Sequence, residues 1–381
     1  MVVRVPVRAE MLQWALDRSG MSSSSSNFDK FSKWAAGLGT PTFRQLENFA
    51  NLTHVPLGYL FLDNPPIEQV PIPDYRTLGN VGVTQPSADL IDTIHAAQRR
   101  QDWYRGFARN QGIEKLKFLG SATLSSSPTV VAEEVRRELA FPLSGRRDYA
   151  DSDAALRRLI DAVEDLGVLV MVSGIVGGNT RRILDPEEFR GFALSDSHAA
   201  LIFVNGADSK AAQMFTLVHE LAHLWLGESA LSDAALASTD QNKHELWANA
   251  VAAEVLVPSK SLEREARGDL TAQEIRRLCL LYRVSSLVIL RRLFDLRKLS
   301  WDDYRSRYAD EVNRLRQVKL SKSSSGGNYY NTQPLRISQS FARAVIVDAM
   351  EGRTLYRDAF ALLGTSKYST FKGLANKLGV A

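Results

Sequence analysis

The chain has 381 residues, of which 45% are hydrophobic and 24% are charged, and this length is enough for two or three domains with cores of their own. The formal net charge of +4 leans basic, but lysine and arginine are scattered, so nucleic-acid binding is permitted and not indicated. No apolar run reaches membrane-spanning length, the first eight residues lack the features of a signal peptide, and the single Cys279 excludes intrachain disulfides. These features predict a soluble cytoplasmic protein without membrane contact, in which Cys279 packs within a helix.

The first predicted domain, residues 1–66, consists of short helices. Apolar spacing predicts one helix at 8–19 and another at 42–50. The apolar face of the first carries Met11, Leu12, Ala15 and Leu16, and that of the second carries Phe43, Leu46, Phe49 and Ala50. With the stretch 34–42 between them, this order resembles the helix-turn-helix domain of the Cro and lambda-repressor type.

Residues 21–33 depart from that resemblance. They include five consecutive serines, which are poor helix formers, and thirteen residues are too few for the two helices and turn that such a domain places there. Two alternatives stay open for this domain. It reads DNA, or it is a degenerate helical module that docks on a partner protein or on the rest of the chain.

Residues 67–149 are predicted to be a helical connector. A proline-rich stretch at 65–73 leads into a long helical pattern at 87–111, and a second helix follows at 129–139. The long pattern carries four arginines, Arg99, Arg100, Arg105 and Arg109. A solvated helix face is favoured for them over a phosphate-binding face.

Residues 150–262 are predicted to form a core that contains a small sheet. A helix at 152–166 feeds a buried strand at 167–172, and two short strands follow at 190–194 and 200–204. An edge strand of such a sheet, about three strands wide, is expected to hold an extended peptide by main-chain hydrogen bonds. His198 lies between the last two strands, where an ordinary loop histidine is favoured over a group that stabilises an oxyanion.

The stretch 216–226 contains the HExxH arrangement of His219, Glu220 and His223. Residues four apart share a helix face, so the two imidazoles can bind one ion while Glu220 flanks the open position as a general base. The alternative is a pair of ordinary core histidines, since the surrounding helix is apolar nearly all round. Chance placement of this motif among six histidines is on the order of half a percent, which favours the metal site.

A third protein ligand is predicted in the segment 244–258. The extended HExxHxxGxxH pattern is excluded because Leu226 and Ser229 stand where it needs glycine and histidine. The segment 244–258 has helical periodicity and ends at a proline. Of its two carboxylates, Glu245 borders the apolar stripe, whereas Glu254 points to the opposite side. Glu245 is therefore the predicted ligand.

The remaining polar residues of this helix have other predicted roles. Glu254 is assigned a solvated or salt-bridged position. Asn249, one turn after Glu245, is predicted to orient a histidine or the carboxylate. His244 lies roughly 100° away from the ligand face and is predicted to be at the surface.

These motifs resemble those of the ImmA/IrrE-like metallopeptidases of bacteria and their phages. The matching stretches are 191–194, 200–205, 215–223, 245–249 and 252–258, and the resemblance covers roughly residues 150–260. It implies an α+β, mostly helical chain with a gluzincin-like metallopeptidase core, flanked by N- and C-terminal helical domains. It also implies a zinc site with Glu245 as third ligand. Members of this family typically cleave or disable a partner regulatory protein, often a helix-turn-helix repressor or an antitoxin.

After the core, the pattern is helical again. Residues 263–318 are predicted to be a helix-turn-helix-like module with a turn at 282–285, for which protein docking is favoured over DNA contact. Residues 319–381 are predicted to be a linker, at 319–330, and a helical tail.

Two functions follow from the sequence. The first is a zinc-dependent endopeptidase, in which His219, His223 and Glu245 hold Zn²⁺ and Glu220 is the catalytic base. Its substrate would be one specific regulatory protein. The alternative is a non-proteolytic regulatory or antitoxin-type module that binds a partner protein such as a toxin, or DNA.

Overall fold

The computed structural model describes residues 3–21, 26–74, 86–232, 242–321 and 329–380. The chain divides into two units. The first comprises residues 1–71 and 84–94, and the second comprises residues 72–83 and 95–381. Among the described residues, no helix is both long enough and apolar enough to cross a bilayer.

The first unit is built from short helices. They are α1 (Ala9–Ser19), α2 (Phe28–Ala35), α3 (Phe43–Thr53) and a 3-10 turn (Leu57–Phe61), and the first part of α4 (Ala88–Asn110) also belongs to the unit. The predicted apolar face of α1 is confirmed, since its four residues are all buried. Thr42 and Gln45 form a capping box that begins α3. The prediction for Phe43 is wrong: directly after this cap its side chain points outward and is 49% exposed.

Only one helix, α2, lies between α1 and α3 in the described part of this unit. Phe31 and Trp34 of α2 pack against Phe49 of α3, with ring centroids of Phe31 and Phe49 4.8 Å apart. Serines 22–25 lie outside the described residues. A domain of the Cro type would place two helices in this stretch, so the structure does not show a helix-turn-helix here.

The second unit is mostly helical with one small sheet, which confirms the predicted α+β class. After α4, its helices are α5 (Pro128–Glu138), α6 (Ser152–Asp165), α7 (Lys210–Leu226), α8 (Lys243–Leu256), α9 (Ser259–Glu265), α10 (Ala272–Tyr282), α11 (Ser286–Asp295), α12 (Trp301–Ser321), α13 (Tyr329–Ile337), α14 (Gln339–Met350), α15 (Tyr356–Leu363) and α16 (Tyr368–Leu378). Its strands are β1 (Leu169–Ser173), β2 (Gly191–Leu194), β3 (Leu201–Asn205) and β4 (Ala230–Ser232).

The four strands form a mixed sheet in the order β1-β3-β2-β4. β1 runs parallel to β3, whereas β2 is antiparallel to both β3 and β4. The prediction of about three strands misses β4, because three residues are too few for a readable alternation. The outer edge of β4 is partly covered: the Leu231 N–H donates to the Pro73 carbonyl at 2.9 Å. An extended peptide would therefore meet the chain's own backbone there.

Helix α7 lies within the main hydrophobic core. It packs against α6, α8, β2 and β3, and every side chain from 213 to 225 is buried. The same core takes residues from α5, α10 and α11, so segments on both sides of the predicted metallopeptidase region pack together with it. A helix surrounded in this way has to be apolar all round, which explains the composition of α7.

Two other predictions need correction. Two of the four arginines of α4 are engaged within the protein, because Arg105 pairs with Asp196 at 2.6 Å and Arg100 donates to the Leu362 carbonyl. The predicted linker 319–330 is helical at both ends, where α12 ends and α13 begins. Its middle, 322–328, lies outside the described residues.

Candidate metal centre

Helix α7 presents the three residues of the HExxH motif to the interior. The side chain of Ser209 caps its N-terminus, and Gly227, in the left-handed conformation, ends it. His219, Glu220 and His223 have no exposed surface. Fully buried polar side chains need partners or an ion, so their surroundings decide what they do.

Helix α8 brings Glu245 to the two histidines, and α7 and α8 pack directly on each other. Asn242 caps α8, and Glu245 lies in the first turn. There the positive end of the helix dipole favours an ionised carboxylate. Glu245 is 2% exposed, and small residues such as Ala248 and Ala252 on the same helix allow the close approach.

The donor atoms of these three residues converge on one point. The Nε2 atoms of His219 and His223 lie 3.1 Å apart. The two carboxylate oxygens of Glu245 lie 3.2 Å from His219 Nε2 and 3.1 Å from His223 Nε2. Bonds of about 2.0–2.1 Å to a tetrahedral ion would separate its ligands by about 3.3 Å. The spacing therefore fits three ligands of one metal ion.

The electrostatics of the centre suit metal binding. Burial lowers the pKa of His223, although Glu245 opposes this shift, so the neutral form of the imidazole is favoured. Burial raises the pKa of Glu245, but the imidazoles of His219 and His223, 3.2 and 3.1 Å away, outweigh burial and hold that pKa below its usual value. A neutral imidazole at His223 and an ionised carboxylate at Glu245 are protonation states that suit metal ligands.

Glu220 has a different environment from Glu245. Burial, followed by the negative charge of Glu245, raises the pKa of Glu220 well above its ordinary value. Its Oε1 is buried and has no hydrogen-bond partner among the described residues. A carboxylate with a raised pKa is suited to accept a proton near neutral pH and return it later.

Ser232 also belongs to the centre, and sequence reasoning misses it. Its hydroxyl lies 3.3 Å from His223 Nε2 and donates to Glu220 Oε2 at 3.4 Å. Ser232 ends β4 and is fully buried. No sequence motif predicts that Ser232 lies beside α7. The pairing of β4 with β2 brings it there.

The other residues considered from the sequence lie apart from the three donors. Glu254 is salt-bridged to Arg292 as predicted, but it is buried and not solvated. His244 is half-buried, with Nδ1 2.7 Å from Glu228. The Oδ1 of Asn249 is buried without a hydrogen-bond partner in the described part of the chain, so the predicted contact with a ligand is not formed. His198 lies in a loop, next to Ser197.

Three arginines hold the far end of α8. Arg136 donates to the carbonyl of residue 254, Arg146 donates to those of 255 and 256, and Arg292 donates to that of 257. The last carbonyls of a helix have no partner within it, and here each receives a guanidinium donor from another part of the chain. These contacts fix the C-terminal end of α8 to α5, to α11 and to the segment that carries Arg146.

A mostly helical fold with a small sheet, and a buried group of two histidines and one glutamate that can hold an ion, define a metallopeptidase-like centre. Residues 163–294, which include α7 and α8, match the peptidase M78 family in its IrrE N-terminal-like domain. This match supports the resemblance to the ImmA/IrrE-like metallopeptidases. Residues 337–377 match a domain of unknown function, DUF8813. No curated protein matches the chain.

Proposed function

We propose that the chain is a zinc-dependent endopeptidase that cleaves a specific partner regulatory protein. The observation that carries this proposal is the convergence of His219, His223 and Glu245 beside the carboxylate of Glu220. Two imidazole nitrogens and a carboxylate are a donor set that zinc accepts readily, whereas magnesium and calcium prefer oxygen ligands.

His219, His223 and Glu245 would hold the ion, and Glu220 would move the proton. When bound, zinc acts as a Lewis acid that polarises a carbonyl group and lowers the pKa of water. Glu220 accepts the proton of the attacking water on its carboxylate and delivers it to the nitrogen of the leaving amine. Glu220 can do this because it lies beside the three ligands without being one of them.

The proposed substrate class comes from the resemblance and from the layout of the chain. The short strands β2, β3 and β4 pack on the helix that carries the HExxH motif, and we propose that selectivity arises from docking on the flanking helices. Leu280 of α10 and Trp301 of α12 are large apolar side chains that are 56% and 54% exposed. Related metallopeptidases act on repressors or antitoxins, and we propose a partner of that kind, cut once or a few times in an exposed linker.

The experiment captures partners with the Glu220→Gln variant and then incubates each captured protein with zinc-loaded wild type. Intact-mass spectrometry should find one or a few cuts in the true partner. The variant should bind as much zinc as wild type and should not cleave, because glutamine cannot accept the proton.

Two outcomes would reject parts of the proposal. A partner that binds tightly and stays intact with zinc-loaded wild type would favour the non-proteolytic module that binds a regulator or a toxin. Efficient cleavage of unrelated unfolded proteins would show that docking does not select the substrate.

A further inference from the structure

Ser232 contacts both a predicted metal ligand, His223, and the predicted base, Glu220. Its Oγ lies 3.3 Å from His223 Nε2, similar to the 3.1 Å that separates the two histidine nitrogens. The same hydroxyl donates to Glu220 Oε2. A hydroxyl near a ligand nitrogen and hydrogen-bonded to the base lies where the attacking water of a peptidase would need to be.

The sheet holds Ser232 in this position. Ser232 on β4 is the register partner of Gly191 on β2. A Cβ atom on Gly191 would lie 2.6 Å from Thr216 Cγ2 and 3.1 Å from Glu220 Oε1. The missing side chain therefore lets β2 lie directly on α7 at Glu220, and β4 follows because it is hydrogen-bonded to β2.

The second edge of β4 is also held. The Leu231 N–H donates to the Pro73 carbonyl at 2.9 Å, and Asp74 pairs with Leu231 in parallel. β4 is thus hydrogen-bonded on both sides, although it has only three residues. A strand this short makes few hydrogen bonds, so a competing strand could replace them.

The centre is closed in this arrangement. His219, Glu220, His223 and Ser232 all have 0% exposed surface. A peptide carbonyl and a water molecule cannot both reach these side chains unless something moves. Among the described residues, β4 carries a side chain, Ser232, that contacts both a ligand and the base.

We propose that the Ser232 hydroxyl takes the fourth ligand position in the resting protein and that β4 is a latch which must be displaced before a substrate is cleaved. This inference rests on the proposed metal site. A neutral hydroxyl is a weaker ligand than the cysteine, histidine and carboxylate groups that usually bind zinc. A weak ligand suits a latch, because a partner protein that displaces β4 can remove the Ser232 hydroxyl from the ion. The three stronger ligands, His219, His223 and Glu245, then stay in place.

The first test uses cobalt(II) as a spectroscopic substitute for zinc in the full chain. In Ser232→Cys, a thiolate at this position should bind the ion and add an intense near-ultraviolet charge-transfer band. Leu231→Cys is the matched control, because neighbouring residues of a strand point to opposite faces, and it should add no such band. Equal spectra for the two variants would overturn the proposal.

The second test asks whether Ser232 closes the fourth position. Acetohydroxamate, a small chelating ligand, is titrated into the cobalt-loaded wild type and Ser232→Ala while the visible spectrum is recorded. The apparent affinity should rise at least about tenfold in Ser232→Ala, the effect of losing one competing interaction of ordinary strength. Ser173→Ala, the same change in β1 of the same sheet, should leave the affinity unchanged. An unchanged affinity in Ser232→Ala would also overturn the proposal.

The two tests separate the latch from the metal site on which it depends. If wild type binds no cobalt, the proposed metal site fails and the latch fails with it. If wild type binds about one ion per chain but Ser232→Cys gives no thiolate band or Ser232→Ala gives no gain in affinity, only the latch is rejected.

Discussion

Gly191 lies so close to Glu220 that a Cβ atom added to it would come within 3.1 Å of the Glu220 Oε1 atom. The same Cβ would lie 2.8 Å from the Phe203 carbonyl oxygen and 2.6 Å from Thr216 Cγ2. Since β2 is hydrogen-bonded to β3 and β4 and packs on α7, a shift of β2 away from α7 would disturb its pairing with both strands. Position 191 therefore requires glycine because a larger side chain does not fit there, and not because the backbone adopts an unusual conformation.

Gly191→Ala should destabilise the protein. The added methyl group overpacks a filled region, which costs about 1–3 kcal/mol, and the midpoint of urea unfolding should fall accordingly. Gly106→Ala is the matched control, because Gly106 lies within α4 with nothing near its Cβ position. That change should be neutral or stabilising by up to about 1 kcal/mol. Equal midpoints for the two variants would contradict the close packing of β2 on α7.

Glu245 and Glu254 lie on the same helix and should give opposite results when each is changed to glutamine. Glu245→Gln removes one of three protein ligands, so zinc affinity should fall by more than about 100-fold. Glu254→Gln should keep about one zinc per chain but lose about 3 kcal/mol of stability, because Arg292 then loses the closer of its two carboxylate partners and keeps only Asp295 at 3.8 Å. Metal analysis and urea unfolding measure both effects. Full zinc content in Glu245→Gln together with metal loss in Glu254→Gln would show that the ligand assignment is wrong.

Arg146 should matter for stability far more than its neighbour Arg147. The Arg146 guanidinium is buried and donates to the carbonyls of Leu256 at 2.6 Å and Val255 at 3.2 Å. Arg146→Met leaves these buried acceptors unpaired, at a cost of about 3 kcal/mol. Arg147 is 62% exposed and its ion pair with Glu265 is long, at 3.9 Å. Arg147→Met should change stability by less than about 0.5 kcal/mol, and similar losses in both variants would reject the capping role.

Cys279 should react slowly with thiol reagents in the folded protein. Burial, followed by the negative charge of Glu311, raises the pKa of Cys279 to about 12. The reactive thiolate is then on the order of 10⁻⁴ of the total at about pH 8, compared with roughly a quarter for a free thiol of pKa about 8.5. Iodoacetamide labelling followed by mass spectrometry should show this protection, and labelling in urea is the control. Rapid labelling of the native protein would mean that the α10 surface around Cys279 opens.

The helices and the two histidines could be predicted from the sequence because their signals are local. The bounds of α1, α4, α5 and α6 agree with their apolar periodicity to within one or two residues, since burial of one helix face imposes that period. The pairing of His219 with His223 follows from the rise of a single helix. The choice of Glu245 over Glu254 needed only the angle between them around α8. Phe43 was not predictable in this way, because the capping box of α3 turns it outward.

The tertiary structure alone decided what surrounds those residues. Ser232 reaches Glu220 because β4 pairs with β2, and Arg136, Arg146 and Arg292 meet at one end of α8 although they come from three separate segments. No local pattern marks such contacts, since the residues are far apart in sequence and each looks ordinary in its own stretch. The sequence determined by itself which side chains can bind a metal ion. The packing of β2 on α7 decided that these side chains are enclosed, because only glycine at position 191 lets the sheet come close enough to cover them.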